Sequence, residues 1–320
     1  MWQFVIASIW LIAVPLDASG GWSYTNPSTG PSKWAQEGYP AAAGTHQSPI
    51  DIVDSNVILY PQLKGVNVFT DSTSMSGITQ YTIQNNGHSV QITFPSKTWY
   101  VSFLGDRTKQ YEVVQMHFHW GANDSVGSEH QINGKSFSAE AHLVTYNCML
   151  YPNNTVASSS PGGLAVLGFL MQNNGQQSDT FFGRLGNTVD NLPKLVDTSS
   201  SENMSAFNLS KVLELVDANQ FYRYAGSLTT PPCTQNVMWT IFEKVSSISS
   251  SQLDLLRKLK YPSTESQTYM TNNYRPVQPV NPPNTALPRQ VYRSLAIRRE
   301  TSWIVLLSLF ALYKLSLYST

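Results

Sequence analysis

Two of the six histidines in this 320-residue chain are separated by a single residue. His117 and His119 lie in YEVVQMHFHW, a stretch rich in valine, methionine and aromatic side chains that is typical of a β-strand. Because a strand directs alternate side chains to opposite faces, both imidazoles share one face with Val113 and Gln115. The opposite face then carries four apolar side chains directed into the core, namely Val114, Met116, Phe118 and Trp120. Imidazoles are common zinc ligands, so this strand raises the question of metal chemistry.

A third histidine, His142, lies in SAEAHLVTY, a second strand-like segment further along the chain. If the two strands pair side by side, three neutral imidazoles converge, as in catalytic zinc sites that keep a fourth position open. Gln115 and Glu140 precede His117 and His142 by two residues, where they would accept the other ring N–H of each imidazole. The alternative makes these histidines surface or hydrogen-bonded core residues. The third histidine favours the zinc site.

The amino-terminal residues 1–20, MWQFVIASIWLIAVPLDASG, are typical of a secretory signal peptide. An apolar run from Trp2 to Val14 is followed by the small residues Ala18, Ser19 and Gly20. A buried amino-terminal helix is the alternative. Export is also indicated by four N-x-S/T sequons, which are candidate N-glycosylation sites at Asn123, Asn153, Asn203 and Asn208.

The carboxyl-terminal residues 303–320 carry an unbroken apolar run only from Trp303 to Tyr313, before Lys314 interrupts it. A membrane-spanning helix needs about 20 apolar residues. The short run favours a GPI-attachment signal, which is removed when the lipid is added. On this interpretation residues 286–302 form a stalk, Ser294 receives the lipid, and the protein sits on the extracellular face of the cell membrane. A short membrane helix and a packed terminal helix are the alternatives.

Residues 21–285 have the length of one domain, and strand-like runs rich in Val, Ile, Phe, Tyr and Trp dominate them. Asn86-Gly87 predicts a hairpin-type turn. Helical patterns are scarce: SQLDLLRKL (251–259) begins with a capping box of Ser251 and Asp254, and DTFFGRLGNTV (179–189) is weaker. The Pro-rich RPVQPVNPPNTALP (275–288) is expected to close the domain. The predicted fold class is mostly β, a single domain with a large, mainly antiparallel sheet and minor helices.

Eight segments, taken in order along the chain, are similar to α-class carbonic anhydrases. They are QSPIDI (47–52), NNGHSVQITF (85–94), QMHFHWG (115–121), GSEH (127–130), AEAHLV (139–144), LAVLGFLM (164–171), GSLTTPP (226–232) and NYRPVQP (273–279). The resemblance runs from about Trp22 to Pro279, and the two chain ends point to the exported, GPI-anchored animal type. It implies a twisted sheet of about ten strands, a zinc site in a central cavity, and reversible hydration of carbon dioxide to bicarbonate.

The resemblance assigns His117, His119 and His142 to Zn²⁺. Metal-bound water then has a pKa of about 7, a value established for carbonic anhydrase itself rather than worked out from this chain. The resulting zinc-bound hydroxide attacks CO₂ and yields bicarbonate and a proton. Thr229 would orient the hydroxide through two hydrogen bonds: the Thr229 oxygen accepts one from the hydroxide, and the Thr229 hydroxyl donates one to Glu129.

The resemblance also assigns the other residues of the cavity. His88 matches the proton-shuttle histidine, for which an unperturbed imidazole pKa of about 6.5 is well suited. Polar side chains that hold the water chain match Tyr24, Asn86 and Gln91, and His130 matches a structural position beside Glu129. The hydrophobic substrate pocket matches Val144, Val166, Leu228, Val237 and Trp239, and the adjoining anion site matches Thr230. Taken singly, each apolar residue of this set would be interpreted as core.

The cysteines depart from the pattern of exported animal members, which pair a cysteine just after TTPP with one shortly before QSPI. Cys233 occupies the first position, but AAAGTHQSPI has no cysteine at the second, and the other cysteine of the chain is Cys148. Two cysteines in an exported chain invite one bridge. The sequence leaves a Cys148–Cys233 disulfide open, because the distance between the two Cα atoms decides it.

The formal net charge is zero and charged residues make up 12% of the chain, which excludes the basic surface typical of nucleic-acid binding. The expected partners are the small molecules CO₂ and bicarbonate, and a membrane through the lipid anchor, with no obligate protein partner. The rival function is a catalytically silent, carbonic-anhydrase-like binding module on the cell surface. Silent relatives typically lose a zinc histidine, whereas this chain retains all three. Another zinc hydrolase, such as an esterase, is a third possibility.

Overall fold

The computed structural model describes residues 21–71, 73–283, 285–286 and 288–294, and the two hydrophobic ends at 1–20 and 303–320 lie outside these residues. In the described part of the chain the strands are β1 Asp51–Ile52, β2 Ile58–Leu59, β3 Asn67–Phe69, β4 Gln80–Asn85, β5 Val90–Thr93, β6 Tyr100–Ser102, β7 Tyr111–Trp120, β8 Gln131–Ile132, β9 Ala139–Asn147, β10 Leu164–Gln172, β11 Ser201–Ser205, β12 Phe221–Gly226, β13 Val237–Phe242, β14 Ser246–Ser247 and β15 Tyr292–Arg293. The α-helices are α1 Asn154–Ala157, α2 Thr188–Asn191 and α3 Ser250–Leu256. Short 3₁₀ helices cover Pro40–Ala43, Asp54–Asn56, Phe182–Arg184, Leu192–Lys194 and Leu209–Leu215.

Thirteen of the strands within the described residues form one sheet, and β1 and β8 form a separate pair. Ten strands follow one another across the large sheet in the order β11-β4-β5-β7-β9-β10-β13-β12-β15-β2, while β3, β6 and β14 branch from this path. Neighbours are antiparallel except for β10 with β13 and β14, and β15 with β2. The predicted fold class, mostly β with a large and mainly antiparallel sheet, is confirmed.

The central strands β7, β9 and β10 are covered on both faces of the sheet. In β9 and β10 every residue except the last is buried, which explains why LAVLGFLMQ is continuously apolar rather than alternating. On one face Met116 and Phe118 of β7 belong to the larger hydrophobic cluster. On the other face Val144 of β9 and Val166 of β10 belong to a second cluster. His142 is two residues from Val144 and therefore shares the face of the second cluster.

A β-bulge in β7 changes which face its first residues occupy. The register of β7 against β9 shifts between Val113 and Gln115, so one extra residue, Val114, is accommodated there. Val113 is buried in the larger cluster, whereas Val114 packs against the second cluster. The predicted faces of Val113 and Val114 are therefore exchanged, while the predicted faces from Met116 onward are correct.

The helix predicted from SQLDLLRKL is present as α3, but a different pair of residues caps it. The Gln252 N–H donates to Ser249 Oγ at 3.3 Å, and the Ser249 N–H donates to Gln252 Oε1 at 3.1 Å. The capping box is therefore Ser249 with Gln252, and not Ser251 with Asp254. The helix begins one residue earlier than predicted, and its Leu253 and Leu256 are buried in the larger cluster.

Two glycines with positive φ decide the local course of the chain. Gly87, at φ +90°, lies in the turn of the predicted hairpin, where β4 and β5 pair as far as Asn85 and Val90. Gly186, at φ +58°, interrupts the helix predicted over 179–189, because an α-helix needs negative φ throughout. That segment forms only a 3₁₀ turn at Phe182–Arg184 and the start of α2.

The packed structure continues beyond the predicted domain boundary at residue 285. Strand β15 lies between β12 and β2, and Arg289 and Ser294 are 5% and 3% exposed. Arg289 donates to the carbonyl oxygens of Val280 and Pro279, which turns the Pro-rich segment back onto the domain. Residues 288–294 therefore belong to the domain and not to the stalk predicted for 286–302. The side chain of Ser294, the residue predicted to receive the lipid, donates to the Asn219 and Phe221 carbonyl oxygens. Within the described part of the chain, no helix has both the length and the apolar character needed to cross a bilayer.

Candidate active site

His117 of β7 and His142 of β9 are directly opposite each other on two antiparallel strands. His119, two residues further along β7, directs its ring to the same side. His142 Nδ1 lies 3.3 Å from His117 Nε2 and 3.1 Å from His119 Nε2. The predicted pairing of the two histidine-bearing strands is confirmed, and it brings three ring nitrogens to one point.

The three inward nitrogens fit the donor set of a zinc ion. Nitrogens bound at about 2.0–2.1 Å to a tetrahedral zinc are on the order of 3.3 Å apart, which agrees with the distances between these rings. Three lone pairs directed at one buried point repel one another unless a cation lies between them. His117, His119 and His142 can therefore hold Zn²⁺ with little rearrangement.

The outer nitrogen of each ring is held by a hydrogen-bond acceptor. Gln115 Oε1 lies 2.9 Å from His117 Nδ1, and Glu140 Oε1 lies 2.7 Å from His142 Nε2. For His119 the acceptor is a backbone carbonyl, Asn273 O, at 2.7 Å from Nδ1. These acceptors place the ring protons on the outer nitrogens, which leaves the inner nitrogens free to bind a metal. Gln115 and Glu140 lie where the sequence predicts them.

Burial keeps all three imidazoles neutral. It lowers the pKa of His117 well below the ordinary value, with further lowering from the neighbouring His119 and His142. Burial likewise lowers the pKa of His119 to about 3, and it lowers the pKa of His142 against the opposing effect of Glu140. Only a neutral imidazole is a metal ligand, so the site is ready to bind a cation near neutral pH.

Glu140 is the centre of a buried hydrogen-bond network. Besides His142, its carboxylate accepts the backbone N–H groups of Glu129 and His130 at 2.9 and 2.8 Å, and His130 Nδ1 lies 2.7 Å away. Burial alone would raise the pKa of Glu140, but the interactions with His130 and His142 outweigh it and hold this pKa well below its usual range. The negative charge retained there fixes the orientation of His142.

Glu129 faces the three histidines from the side of the loop that carries Thr229. Its Oε1 accepts the Arg275 backbone N–H at 2.8 Å, and its Oε2 lies 3.4 Å from His119 Nε2 and 3.8 Å from His142 Nδ1. Burial raises the pKa of Glu129 well above its usual range, and hydrogen bonding from Arg275 and Thr229 opposes this rise. Glu129 and Thr229 are thus neighbours, as the resemblance requires.

An apolar wall adjoins the histidines on the same face of the sheet. Val166 of β10 pairs with Val144 of β9 on one side and with Trp239 of β13 on the other. All three are buried in the second cluster together with Val237, and Leu228 packs against it. The Trp239 and His142 ring centroids are 4.8 Å apart. The five residues predicted for the pocket therefore lie in or against one apolar cluster beside His142. Thr230, partly buried, follows Thr229 in the adjoining loop.

His88 lies in the turn between β4 and β5 and stacks on Trp22. The two ring centroids are 3.7 Å apart with an interplanar angle of 13°. Tyr24 contacts His88 edge-on, with a centroid distance of 6.4 Å. The Asn86 amide donates to Gln91 Oε1 at 3.3 Å, so two of the polar residues assigned to the water chain contact each other.

The segment that carries Trp22 and Tyr24 is held by a carboxylate from near the other end of the domain. Glu265 accepts the backbone N–H groups of Tyr24 and Thr25 at 2.7 and 2.8 Å. The aromatic platform of His88 is therefore fixed to the body of the domain. Sequence reasoning missed Glu265, since isolated glutamates are common and nothing local marks this one.

The two cysteines do not form a disulfide in the structure. Cys233 is buried in the larger hydrophobic cluster, whereas Cys148 packs against the second cluster. The Cys148–Cys233 bridge left open by the sequence is thus absent. The loop after Thr229 is instead held by hydrogen bonds, among them Gln47 Nε2 to Cys233 O at 3.1 Å.

All four sequon asparagines are exposed. They lie apart along the chain, at Asn123, Asn153, Asn203 and Asn208. Asn153 is the N-cap of α1, and its side-chain oxygen accepts the Val156 N–H at 3.0 Å. Its amide nitrogen, the atom that glycosylation modifies, is not the atom used in that hydrogen bond.

The family of eukaryotic-type carbonic anhydrases matches residues 29–292. Human carbonic anhydrase 7 is 35% identical over 262 residues, which cover 81% of this chain and 94% of that protein. Human carbonic anhydrase 12 is 35% identical over 267 residues, which cover 80% of this chain and 70% of that protein. Bovine carbonic anhydrase 6 is 32% identical over 279 residues, which cover 87% of this chain and 83% of that protein. The chain therefore belongs to the eukaryotic-type carbonic anhydrases, enzymes that interconvert carbon dioxide and bicarbonate.

Proposed function

We propose that this chain hydrates carbon dioxide reversibly at a zinc site formed by His117, His119 and His142. The observation that carries the proposal is the convergence of three inward ring nitrogens, 3.1 and 3.3 Å apart, beside an apolar pocket. Bound zinc would supply water acidic enough to act as a nucleophile at neutral pH, a property established for carbonic anhydrases and not deduced from this chain.

Thr229 and Glu129 are proposed to orient this nucleophile. In this role the Glu129 carboxylate would accept a hydrogen bond from the Thr229 hydroxyl, which leaves the Thr229 oxygen to accept a hydrogen bond from the nucleophile. A nucleophile held in this way directs a lone pair toward the carbon atom. Burial favours a protonated Glu129, but a divalent cation nearby favours the charged carboxylate that this role needs.

The apolar wall is proposed to hold the substrate. Carbon dioxide has no net dipole and gains little from polar contacts, so Val144, Val166 and Trp239 offer it a surface from which water is easily displaced. Thr230, next to Thr229, is placed to hydrogen-bond the bicarbonate that forms.

His88 is proposed to transfer the released proton to the solvent. A partly exposed histidine in a hairpin turn can take up and release protons to buffer. Stacking on Trp22 at 3.7 Å restricts the ring to an orientation facing Tyr24. Tyr24, Asn86 and Gln91 would hold water between this ring and the metal site.

Zinc content and carbon dioxide hydration, measured together on the purified domain, test the proposal. We expect one zinc per chain and rapid hydration in stopped-flow assays. Substituting His142→Gln should abolish both, whereas His46→Ala, at a histidine outside the site, should leave both unchanged. A protein that binds zinc at the wild-type level without His142 contradicts the assignment.

The same assay separates the rival functions. A silent binding module predicts no hydration by the zinc-loaded wild type. An esterase predicts ester turnover without carbon dioxide turnover. Retention of all three inward imidazoles with their hydrogen-bond acceptors favours the hydrating enzyme over both.

We further propose that the protein is exported and held outside the cell by a GPI anchor. The signal-peptide pattern of residues 1–20, the apolar run at 303–313 and the four exposed sequons support this location. Phosphatidylinositol-specific phospholipase should release the protein from intact cells. Retention after treatment, with release only by detergent, favours a membrane helix instead.

A further inference from the structure

The edge of β7 loses its strand partner next to the metal site. β5 pairs with β7 at Gln115, Met116 and His117, but the pairing ends there. Beyond that point the backbone groups of Phe118 and Trp120 on this edge are deep in the protein and need other partners.

Asn273 provides partners for this unpaired edge. Its side-chain Oδ1 accepts the Trp120 N–H at 2.7 Å, and its Nδ2 donates to the Phe118 carbonyl at 3.0 Å. A carbonyl and the N–H two residues later point to the same side of a strand, so one side-chain amide binds them as a neighbouring peptide group would. Asn273 is fully buried. Its amide replaces the missing strand together with Ser89 Oγ, which accepts the Phe118 N–H at 3.0 Å and donates to the Phe118 carbonyl.

The same side chain also reaches the turn that carries His88. Asn273 Nδ2 donates its second hydrogen bond to the His88 carbonyl at 3.1 Å. The Asn273 backbone carbonyl meanwhile lies 2.7 Å from His119 Nδ1. Asn273 therefore binds the backbone of β7 and the backbone of His88, and its carbonyl oxygen also fixes the orientation of the His119 ring.

We propose that Asn273 is a positioning residue that fixes His88 relative to the metal site. The inference rests on the shuttle role proposed for His88, because a proton crosses a chain of waters efficiently only when both ends stay at a fixed separation. The asparagine amide is suited to this role because it offers two donors and one acceptor on a short side chain. An aspartate lacks the donors. An alanine removes all three hydrogen bonds of the amide, and the Phe118 carbonyl then keeps only the one from Ser89 Oγ.

A double-mutant cycle tests the proposal through catalysis. Asn273→Ala should lower kcat in weak buffer by up to about 10-fold, and by no more than His88→Ala does. The kcat/KM for carbon dioxide should change little, and added imidazole should restore kcat. In a His88→Ala background Asn273→Ala should have no further effect on kcat, because the residue acts through His88. An equal loss in both backgrounds, or a parallel loss of kcat and kcat/KM, would overturn the proposal.

Asn273→Asp is the second variant, and it keeps the size of the side chain and the acceptor for the Trp120 N–H. It loses the donors to His88 and Phe118, so it should show the same buffer-dependent loss as Asn273→Ala. Activity equal to the wild type in weak buffer would show that the His88 contact is not needed.

Hydrogen exchange of the metal-free protein gives a readout that does not depend on activity. Asn273→Ala should speed exchange at the Trp120 amide and across residues 86–90. The control is Asn191→Ala, since Asn191 is also buried and donates to a backbone carbonyl, Asn187 O, at 3.0 Å in α2. The control should leave exchange at 86–90 unchanged.

Unchanged hydrogen exchange at residues 86–90 in Asn273→Ala would refute the proposal that Asn273 fixes the position of His88. This outcome is distinct from failure of the proposed function, which would show as a wild type without zinc or carbon dioxide hydration.

Discussion

His117 and His142 face each other across one rung of the β7–β9 ladder, and their inward nitrogens are 3.3 Å apart. The sheet itself sets this distance, because directly opposed residues on antiparallel strands have their Cβ atoms about 4.5–5.5 Å apart. The proposed ligand pair is therefore fixed by backbone hydrogen bonds rather than by flexible loops, and the third proposed ligand, His119, lies two residues along β7 from His117.

Replacing Glu140 by glutamine should weaken zinc binding about 10- to 100-fold. The amide offers one acceptor oxygen, where the carboxylate accepts hydrogen bonds from both its oxygens, and it brings an NH₂ group toward the His130 and His142 rings. Competition with a chelator measures the change. The control is Glu112→Gln on β7, a buried glutamate that accepts from the Lys97 N–H at 2.8 Å away from the zinc ligands. Equal zinc affinity in the two variants would contradict the role of Glu140.

Replacing His88 by alanine should lower kcat about 10-fold or more in weak buffer. The loss should disappear when imidazole is added, because a soluble base can then carry the proton. Stopped-flow hydration at several buffer concentrations measures the effect. A kcat that does not depend on buffer concentration in the variant would remove the shuttle assignment.

One thiol should react in the native protein and two after unfolding. Cys148 is partly exposed, whereas Cys233 is fully buried and its pKa is raised to about 11, mainly by burial. A thiol with so high a pKa has little thiolate near about pH 8, and only the thiolate reacts. Titration with a thiol reagent counts the groups, and Cys148→Ser should abolish the native reaction. An absence of reactive thiols under both conditions would mean that a disulfide forms.

The metal-free protein should lose stability as the pH falls below about 6.5. Burial lowers the pKa of His117, His119 and His142, that of His119 to about 3. Below the unfolded-state value the unfolded chain binds protons that the folded chain does not bind. Each such proton therefore lowers the free energy of unfolding by about 1.4 kcal/mol for every pH unit by which the pH is lowered.

Glu129 has the opposite effect on stability. Burial raises its pKa, so the folded chain binds a proton there that the unfolded chain does not, and stability rises as the pH falls. This single group opposes three histidines. Urea unfolding of chelator-treated protein from about pH 7 to about pH 5 follows the net effect. Stability that is constant or rises toward the lower pH would contradict the prediction.

The shared face of His117 and His119 could be predicted because alternation along a strand is a local property. The apolar character of SAEAHLVTY predicts a second strand, but its pairing with the strand of His117 was only a condition of the zinc-site hypothesis. The faces of Val113 and Val114 could not be predicted in this way. The bulge depends on how β7 aligns with β9, and that alignment has no signal in the sequence of β7 alone.

The positioning residues were beyond sequence reasoning for a different reason. Asn273 contacts Phe118 and Trp120 from more than 150 residues away, and Asn273 and Arg275 hold His119 and Glu129 through backbone atoms that any residue possesses. The end of the domain shows the same limit. Proline predicts a break in regular structure, but only the burial of Arg289 and Ser294 shows that the chain packs again afterwards.

The contact between Glu265 and the segment at Tyr24 has a consequence for how the protein is made. A nascent chain exposes its first residues and the metal-binding histidines long before the ribosome has added Glu265 or Asn273. Until then the Tyr24 and Thr25 N–H groups lack the Glu265 carboxylate, and the Trp120 N–H lacks the Asn273 side chain. The working enzyme is thus a property of the completed polypeptide, and shortened translation products should be inert even when every zinc ligand is present.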